Sequence, residues 1–186
     1  MTVLFDYAPA WLGLDLVQHT FIETGTYHGV SLAQACRHAF KRLVTIDVDA
    51  GSQIVARERV GVDFRVEWVC GSSPDVLPSL MRAEDATTFW LDAHYTGHGR
   101  ELMDARFGEC PLLLELAAIR AVPWRVPPII LIDDAHMYSS TWWETNSFAT
   151  HFDRSQWPTL EEIADAMAPS HYLTVREGIV YLIAAQ

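Results

Sequence analysis

The sequence predicts an α/β fold, a three-layer sandwich around a mostly parallel seven-stranded sheet with one antiparallel strand. Short apolar runs alternate with helix-like segments from residue 20 to about residue 167. The last two apolar runs are separated only by Arg176, Glu177 and Gly178, which predicts a hairpin that supplies the antiparallel strand. No internal repeat, low-complexity segment or linker divides the 186 residues, so a single domain is expected over residues 1–186.

The composition limits the possible partners and surroundings. Half of the residues are hydrophobic, enough for one packed core, and 24 acids against 13 bases give a net charge of −11. This charge argues against nucleic acid and anionic membranes as partners. The N-terminus lacks the features of a signal peptide, no run reaches the ~20 apolar residues of a membrane span, and the three cysteines are widely spaced. We therefore expect a cytoplasmic protein; whether it forms a homodimer stays open.

The first unit of the chain, residues 20–49, has the order strand, glycine turn, helix, strand, acid. Its first apolar run begins at Phe21, the turn contains Gly25 and Gly29, and the second run ends at Asp47. Such a unit is a parallel βαβ crossover, whose glycine turn lets a ligand approach the main chain closely. The predicted elements are a helix over residues 30–40 and a second strand over residues 43–46.

The helices and strands outside this first unit are predicted from apolar runs, prolines and helix caps. Residues 1–19 are expected to form a short amphipathic lead-in that covers the sheet. Thr159, with Glu162 three residues later, has the pattern of a helix capping box. The further predicted elements are helices over 51–60, 74–81, 112–122 and 160–167, and strands over 64–69, 87–91, 129–132, 172–175 and 179–183.

The glycine spacing of the first turn narrows the class of ligand. Dinucleotide-binding loops use G-x-G-x-x-G, because a pyrophosphate rests on the backbone there. Here the pattern is E-x-G-x-x-x-G from Glu23 to Gly29, which suits a ligand with a cationic amino group and no phosphate. Asp47, 22 residues after Gly25, could accept hydrogen bonds from ribose hydroxyls. The alternative is an ordinary tight turn without a ligand.

Acids follow four of the predicted strands. They are Glu23, Asp47, Asp92 and the pair Asp133 and Asp134. Because the carboxyl ends of parallel strands meet at one edge of a sheet, where ligands bind, we expect these acids to surround a common site. The alternative is that they only cap helices or turns.

The segments VTIDVD, GSSPDVLPSL, FWLDAHYTG and IILIDDAHMY, together with the glycine turn, resemble class I S-adenosylmethionine-dependent methyltransferases of the catechol O-methyltransferase type. The resemblance implies a Rossmann-like sheet and S-adenosylmethionine as cofactor. It implies that Glu23 and the main chain of Gly25, Thr26 and Tyr27 hold the methionine part, with help from Ser31. It further implies that Asp47 binds the ribose. The remaining implied cofactor positions are Gly29, Gly71, Ser72, Ser73 and Asp92, of which Gly71 to Ser73 frame the adenine.

The resemblance also implies a metal site and a base. Asp92, Asp133 and Asp134 match the family's metal positions, where three oxygen ligands suit Mg²⁺. The family's catalytic lysine corresponds to Tyr95 here, preceded by His94, so these two residues are the candidate bases. If His94 and His136 joined the aspartates, Fe²⁺, Mn²⁺ or Zn²⁺ would fit better. His98 is a further candidate ligand or base.

The expected function is therefore methyl transfer to an oxygen of a small molecule, assisted by a divalent metal. Two alternatives stay open: a metal-dependent hydrolase or oxygenase that uses the Asp/His cluster, and a non-catalytic cofactor-binding module. The aromatic stretch over residues 138–157 is either a packed cover over the sheet edge or the wall of an acceptor pocket.

Overall fold

The structure, a computed structural model, describes residues 16–97 and 99–185. Most of the predicted lead-in, and His98, therefore lie outside the described residues. Seven strands form one sheet in the order β3-β2-β1-β4-β5-β7-β6. They are β1 (Thr20–Thr24), β2 (Arg42–Asp47), β3 (Val66–Cys70), β4 (Thr87–Leu91), β5 (Ile129–Ile132), β6 (His171–Arg176) and β7 (Ile179–Ala184). Strands β1 to β5 pair in parallel, and β7 lies antiparallel between β5 and β6, as predicted.

Helices connect the strands and fill the two outer layers. The α-helices among the described residues are α1 (Val30–Ala35), α2 (Ala50–Val60), α3 (Ser73–Leu80), α4 (Leu112–Ala121), α5 (Ser140–Thr145) and α6 (Leu160–Met167). Short 3₁₀ turns occur at Leu16–Gln18, Arg100–Leu102, Ala135–Tyr138, Ser147–His151 and Arg154–Gln156. The predicted capping box is present at the start of α6, where Thr159 and Glu162 bond reciprocally. No helix of the described part is long and apolar enough to cross a membrane.

Two hydrophobic cores lie on opposite faces of the sheet. On one face, strand residues such as Ile22 and Phe89 pack against α3, α4 and α6. On the other face, their neighbours Phe21 and Trp90 pack with Leu32 of α1. Because successive side chains of a strand point to opposite faces, a strand buried on both sides needs a continuous apolar run. The predicted three-layer sandwich is confirmed.

Helix α1 is shorter than the predicted helix over residues 30–40. It ends at Ala35, and the chain turns through Arg37 and His38, whose main-chain N–H groups donate to Gln34 and Ala35. This turn brings Phe40 into the core, 1 % exposed, with its ring centroid 5.2 Å from that of Phe21. Tertiary packing thus ends the helix earlier than the local pattern indicates.

The sheet places the strand-end acids at one edge. Leu91 pairs with Thr24 on one side and with Ile132 on the other, so Asp92 and Asp133 follow neighbouring strands in register. The hairpin between β6 and β7 supports the loop after β5, because the N–H of Ala135 donates to Gly178 O at 2.8 Å.

Candidate active site

A cavity of about 180 Å³ lies at the carboxyl ends of β1 to β4. Nine of the predicted site residues line it: Gly25, Tyr27, Asp47, Gly71, Ser72, Ser73, Asp92, His94 and Tyr95. Five acids, Asp47, Asp49, Asp92, Asp104 and Glu109, are among the described lining residues, together with one histidine and no lysine or arginine. Asp104 and Glu109 are ion-paired with Arg106 and Arg100 at 2.6 Å, so the negative charge of the cavity comes mainly from Asp47, Asp49 and Asp92. This charge favours a cationic ligand over a phosphate.

Gly25 adopts a left-handed conformation, with φ +82°, in the turn after β1. Its N–H and that of Thr26 donate to Ile46 O at 2.9 and 3.2 Å, which fixes the turn on β2. A Cβ atom at this position would lie 2.3 Å from the carbonyl oxygen of Asp92. Glycine is thus required by the end of β4 itself, in addition to any ligand above the turn.

Asp47 ends β2 beside this turn. Its Oδ2 accepts a hydrogen bond from the Tyr27 N–H at 2.7 Å, and its Oδ1 accepts one from the Asp49 N–H at 2.8 Å. Burial raises the pKa of Asp47, although these two bonds act in the opposite direction. Each oxygen keeps a lone pair that can face the cavity.

Glu23 lies below the cavity and is fully buried. It accepts hydrogen bonds from the hydroxyl of Ser31 and from that of Thr45, the latter at 2.7 Å. Burial raises the pKa of Glu23 to about 8. Glu23, Thr26, Gly29 and Ser31 are not among the residues that line the cavity.

Gly29 makes a close contact between two helices. A Cβ atom at this residue would lie 2.7 Å from Cβ of Ala56 in α2. Glycine at this position thus allows the start of α1 to pack closely on α2.

The turn from Gly71 to Ser73 closes the cavity at the end of β3. The N–H of Gly71 donates to Asp47 O at 2.9 Å, and Ser73 begins α3 and is 5 % exposed. Behind it lies Glu115 of α4, 1 % exposed. Burial raises the pKa of Glu115 to about 7, while hydrogen bonds with Ser73 and Thr24 act in the opposite direction. A buried acid of α4 that the sequence pattern did not single out therefore lies beside the turn.

Asp92, His94 and Asp134 form a cluster in which one ligand atom of each lies within 4.8 Å of the others. Nε2 of His94 is 3.1 Å from Oδ1 of Asp92 and 3.4 Å from Oδ2 of Asp134. Asp133 is not a member of this cluster; its Oδ1 accepts the N–H of Asp134 at 2.8 Å. Burial and then the charge of Asp92 raise the pKa of Asp133 to about 7. Of the three predicted metal aspartates, the structure groups two, with a histidine in place of the third.

The side chain of His94 is 8 % exposed, and its two nitrogens have different surroundings. Nδ1 lies 3.2 Å from the carbonyl oxygen of Tyr95 and must donate to it, because a carbonyl can only accept. Nε2 is buried, has no partner with hydrogen-bond geometry among the described residues, and lies beside two carboxylates. A lone pair facing carboxylates is unfavourable, so Nε2 needs either a proton or a cation between it and the aspartates.

Both alternatives, a proton on Nε2 and a cation bound beside it, have physical support. Burial acts to lower the pKa of His94, but Asp134 and Asp92 outweigh it and hold the pKa well above its usual value. One imidazole nitrogen and two carboxylates also fit a divalent cation of the Mn²⁺, Fe²⁺ or Zn²⁺ type. An N–H donated to a backbone carbonyl is, in addition, a common orientation of a metal-binding histidine. His136 is at the rim, with its Nδ1 3.8 Å from Asp134.

Tyr95, the other candidate base, lines the cavity between two neighbours. The guanidinium of Arg100 lies 4.6 Å from its ring centroid, and the ring of Phe152 meets it edge-on at 5.7 Å. The aromatic stretch over 138–157 packs mainly on itself and on the core, and none of it lines the cavity. These contacts favour the packed cover over the acceptor-pocket wall.

No family model matches the sequence, and no curated protein matches it. Solved structures do match the fold. The methyltransferase PaMTH1 of Podospora anserina, bound to S-adenosylhomocysteine, has a TM-score of 0.61 and 16% identity, over 90% of this chain and 72% of that one. Geranyl diphosphate C-methyltransferase of Streptomyces coelicolor has a TM-score of 0.56 and 15% identity, over 88% and 56%. Spermidine synthase of Thermotoga maritima has a TM-score of 0.54 and 13% identity, over 91% and 54%.

The chain thus spans little more than half the length of the last two proteins. It has the fold of class I S-adenosylmethionine-dependent methyltransferases, which is the resemblance that the sequence motifs indicated. Because proteins named for different reactions share this fold at low identity, the fold alone does not identify the reaction.

Proposed function

We propose that the protein is an S-adenosylmethionine-dependent methyltransferase that methylates an oxygen of a small molecule. The observation that carries the proposal is the cavity at the carboxyl ends of β1 to β4, lined by five acids and, among the described residues, by no lysine or arginine. A nucleotide phosphate would be repelled there, whereas the sulfonium and ammonium groups of S-adenosylmethionine would be attracted. The fold supports the same class of cofactor.

In this proposal the cofactor lies along the cavity. Asp47 accepts the ribose hydroxyls, and the turn from Gly71 to Ser73 receives the adenine. The methionine part lies over the turn of Gly25 to Tyr27, with Glu23 beneath it. The hydrogen bond from Ser31 to Glu23 keeps that carboxyl directed toward the turn.

We further propose that Asp92, His94 and Asp134 hold a divalent cation beside the cofactor. A bound cation of this kind supplies a Lewis acid that lowers the pKa of an acceptor hydroxyl. The chain's own contribution is orientation: the carbonyl of Tyr95 fixes the His94 ring, and the ring of Tyr95 borders the cavity where the acceptor would approach. Among the described residues that border the cavity, Tyr95 replaces the lysine of the related family as candidate base.

A second candidate function rests on the same cluster. Two carboxylates and one histidine can hold a catalytic metal without any cofactor, as a metal-dependent hydrolase or oxygenase would require. The two proposals differ in their need for the acid-lined cavity, which only the first one uses. A non-catalytic module would use the cavity and not the cluster.

The deciding experiment is calorimetric titration with S-adenosylhomocysteine, with ATP and NAD⁺ as phosphate-bearing controls. We expect binding of the first and none of the controls. Transfer of a labelled methyl group to a panel of hydroxylated acceptors, with and without Mn²⁺, then separates an enzyme from a binding module. Binding of ATP in place of S-adenosylhomocysteine would refute the proposed function.

A further inference from the structure

Glu109 is a fully buried carboxylate with three donors, at the border of the cavity. Its Oε1 accepts from Nη2 of Arg100 at 2.6 Å. Its Oε2 accepts from the N–H of Asp153 at 2.8 Å and from the indole N–H of Trp157 at 3.0 Å. A buried charge requires such compensation, since an isolated carboxylate would be costly to bury.

The main chain of Glu109 adds two more bonds between the same parts of the molecule. Its carbonyl accepts from the N–H of Tyr95 at 2.7 Å, and its N–H donates to Oε1 of Gln156 at 2.9 Å. The residue therefore joins the cavity wall over 93–97 and 99–110 to residues 153–157 of the aromatic stretch, two parts of the chain that are distant in sequence.

Two sets of contacts, which are called routes below, connect Glu109 with His94. In the first, Tyr95 is held by the Glu109 carbonyl, and the carbonyl of Tyr95 accepts from Nδ1 of His94. In the second, the Glu109 carboxylate fixes the indole of Trp157, whose ring centroid lies 5.1 Å from that of His94. Arg100 strengthens the first route, because its guanidinium covers the ring of Tyr95 while it bonds Glu109.

We propose that Glu109 is a positioning residue for His94, which sets the direction of the imidazole toward Asp92 and Asp134. The carboxylate of Glu109 acts through the ring of Trp157 and, by holding Arg100 over the ring of Tyr95, through Tyr95. The main-chain bond from Tyr95 to residue 109 remains in any variant of this residue. The importance of this arrangement for catalysis rests on the proposed function, whereas its effect on the His94 ring does not.

The test is the ring-nitrogen NMR spectrum of the histidines in the full chain. The spectrum of His94→Gln assigns the His94 signals by their loss. Glu109→Gln and Arg100→Met are compared with Arg106→Met, a matched control: Arg106 belongs to the same loop and bonds carboxylates at 2.6 Å, those of Asp75 and Asp104, without touching Glu109. Chemical denaturation of each variant records stability separately.

We expect both His94 nitrogens to shift by more than the linewidth in Glu109→Gln and Arg100→Met, and to stay unshifted in Arg106→Met. An unshifted His94 in folded Glu109→Gln, or an equal shift in Arg106→Met, overturns the proposal. If Glu109→Gln does not fold, the comparison of Arg100→Met with Arg106→Met decides alone. Wild-type protein that fails to bind S-adenosylhomocysteine would overturn the proposed function, and the His94 spectrum would still decide the role of Glu109.

Discussion

The main-chain N–H of Tyr27 donates a hydrogen bond to Oδ2 of Asp47 over 2.7 Å. This bond ties the glycine turn after β1 to the end of β2, in a turn where Tyr27 itself has φ +44°. Asp47 therefore orders the turn and, with its remaining lone pairs, offers acceptors to a ligand.

Asp47→Ala should weaken S-adenosylhomocysteine binding by about 1.5–3 kcal/mol, the usual range for hydrogen bonds to a charged group. Calorimetric titration measures this loss. Asp75→Ala is the matched control, because Asp75 is a half-exposed carboxylate of α3 that pairs with Arg106 and does not line the cavity. Equal affinities of the two folded variants would remove Asp47 from the binding site.

Gly25→Ala should destabilise the fold as well as the cofactor site. Its φ of +82° costs an alanine about 1–2 kcal/mol, and the new Cβ would meet Asp92 O at 2.3 Å. Gly178→Ala is the control for the conformational part, since Gly178 has φ +83° and no atom of the described residues would lie within 4 Å of its Cβ. We expect Gly25→Ala to lose clearly more free energy of unfolding in urea than Gly178→Ala. Similar losses would mean that the contact with Asp92 relaxes at little cost.

Glu23→Gln should change how stability depends on pH. The pKa of Glu23 is raised from 4.5 to about 8, so its contribution to stability is full below pH 4.5 and is lost as pH rises through about 8. Within this window the loss approaches ~1.4 kcal/mol per pH unit. The free energy of unfolding of Glu23→Gln should therefore rise relative to that of the wild type between pH 5 and 8.5. Denaturation at several pH values measures this difference. A difference that stays constant with pH would show that Glu23 ionises at its ordinary pKa.

The proposed metal site includes His94 and Asp134 but not Asp133, so substitutions of these residues should have different effects. Mn²⁺ should raise the melting temperature of the wild type, because a ligand of the native state stabilises it by mass action. His94→Gln and Asp134→Asn should abolish the rise, and Asp133→Asn should keep it, since Asp133 lies outside the cluster. Thermal unfolding with and without Mn²⁺ provides the measurement. A rise that is lost in Asp133→Asn and in Asp134→Asn but kept in His94→Gln would support the three aspartates inferred from the sequence. No rise in the wild type would contradict the proposed Mn²⁺ binding.

Strands were the most predictable part of the fold. The bounds predicted for β4 and β5 agree with the structure. A strand that is buried on both faces and is bordered by an acid or a proline has clear limits in the sequence. The predicted third strand over 64–69 begins instead at Val66, and Phe64 is 98 % exposed. An edge strand receives only partial burial, so its hydrophobic pattern defines its start poorly.

Only those site residues that directly follow a strand could be located from the sequence. Sequence order located Asp47 and Asp92 at the sheet edge, but it could not show which side chains converge there. Asp134 has φ +52°, which turns the chain away from β5 and brings its carboxylate to His94. The contacts of Glu109 with Asp153 and Trp157 join residues 44 and 48 positions apart, so no local pattern could have revealed them.

The position of β7 has a consequence for how the protein is made. β7 comes last of the seven strands along the chain, yet it lies beside β5, and β6 reaches the sheet only through it. The turn before it also supports the loop of Asp134 through the bond from Ala135 to Gly178. A nascent chain that has not passed residue 184 would thus present β5 as an open edge, with the loop of Asp134 lacking its support. The bond that supports the Asp134 loop can therefore form only after the hairpin has been synthesised.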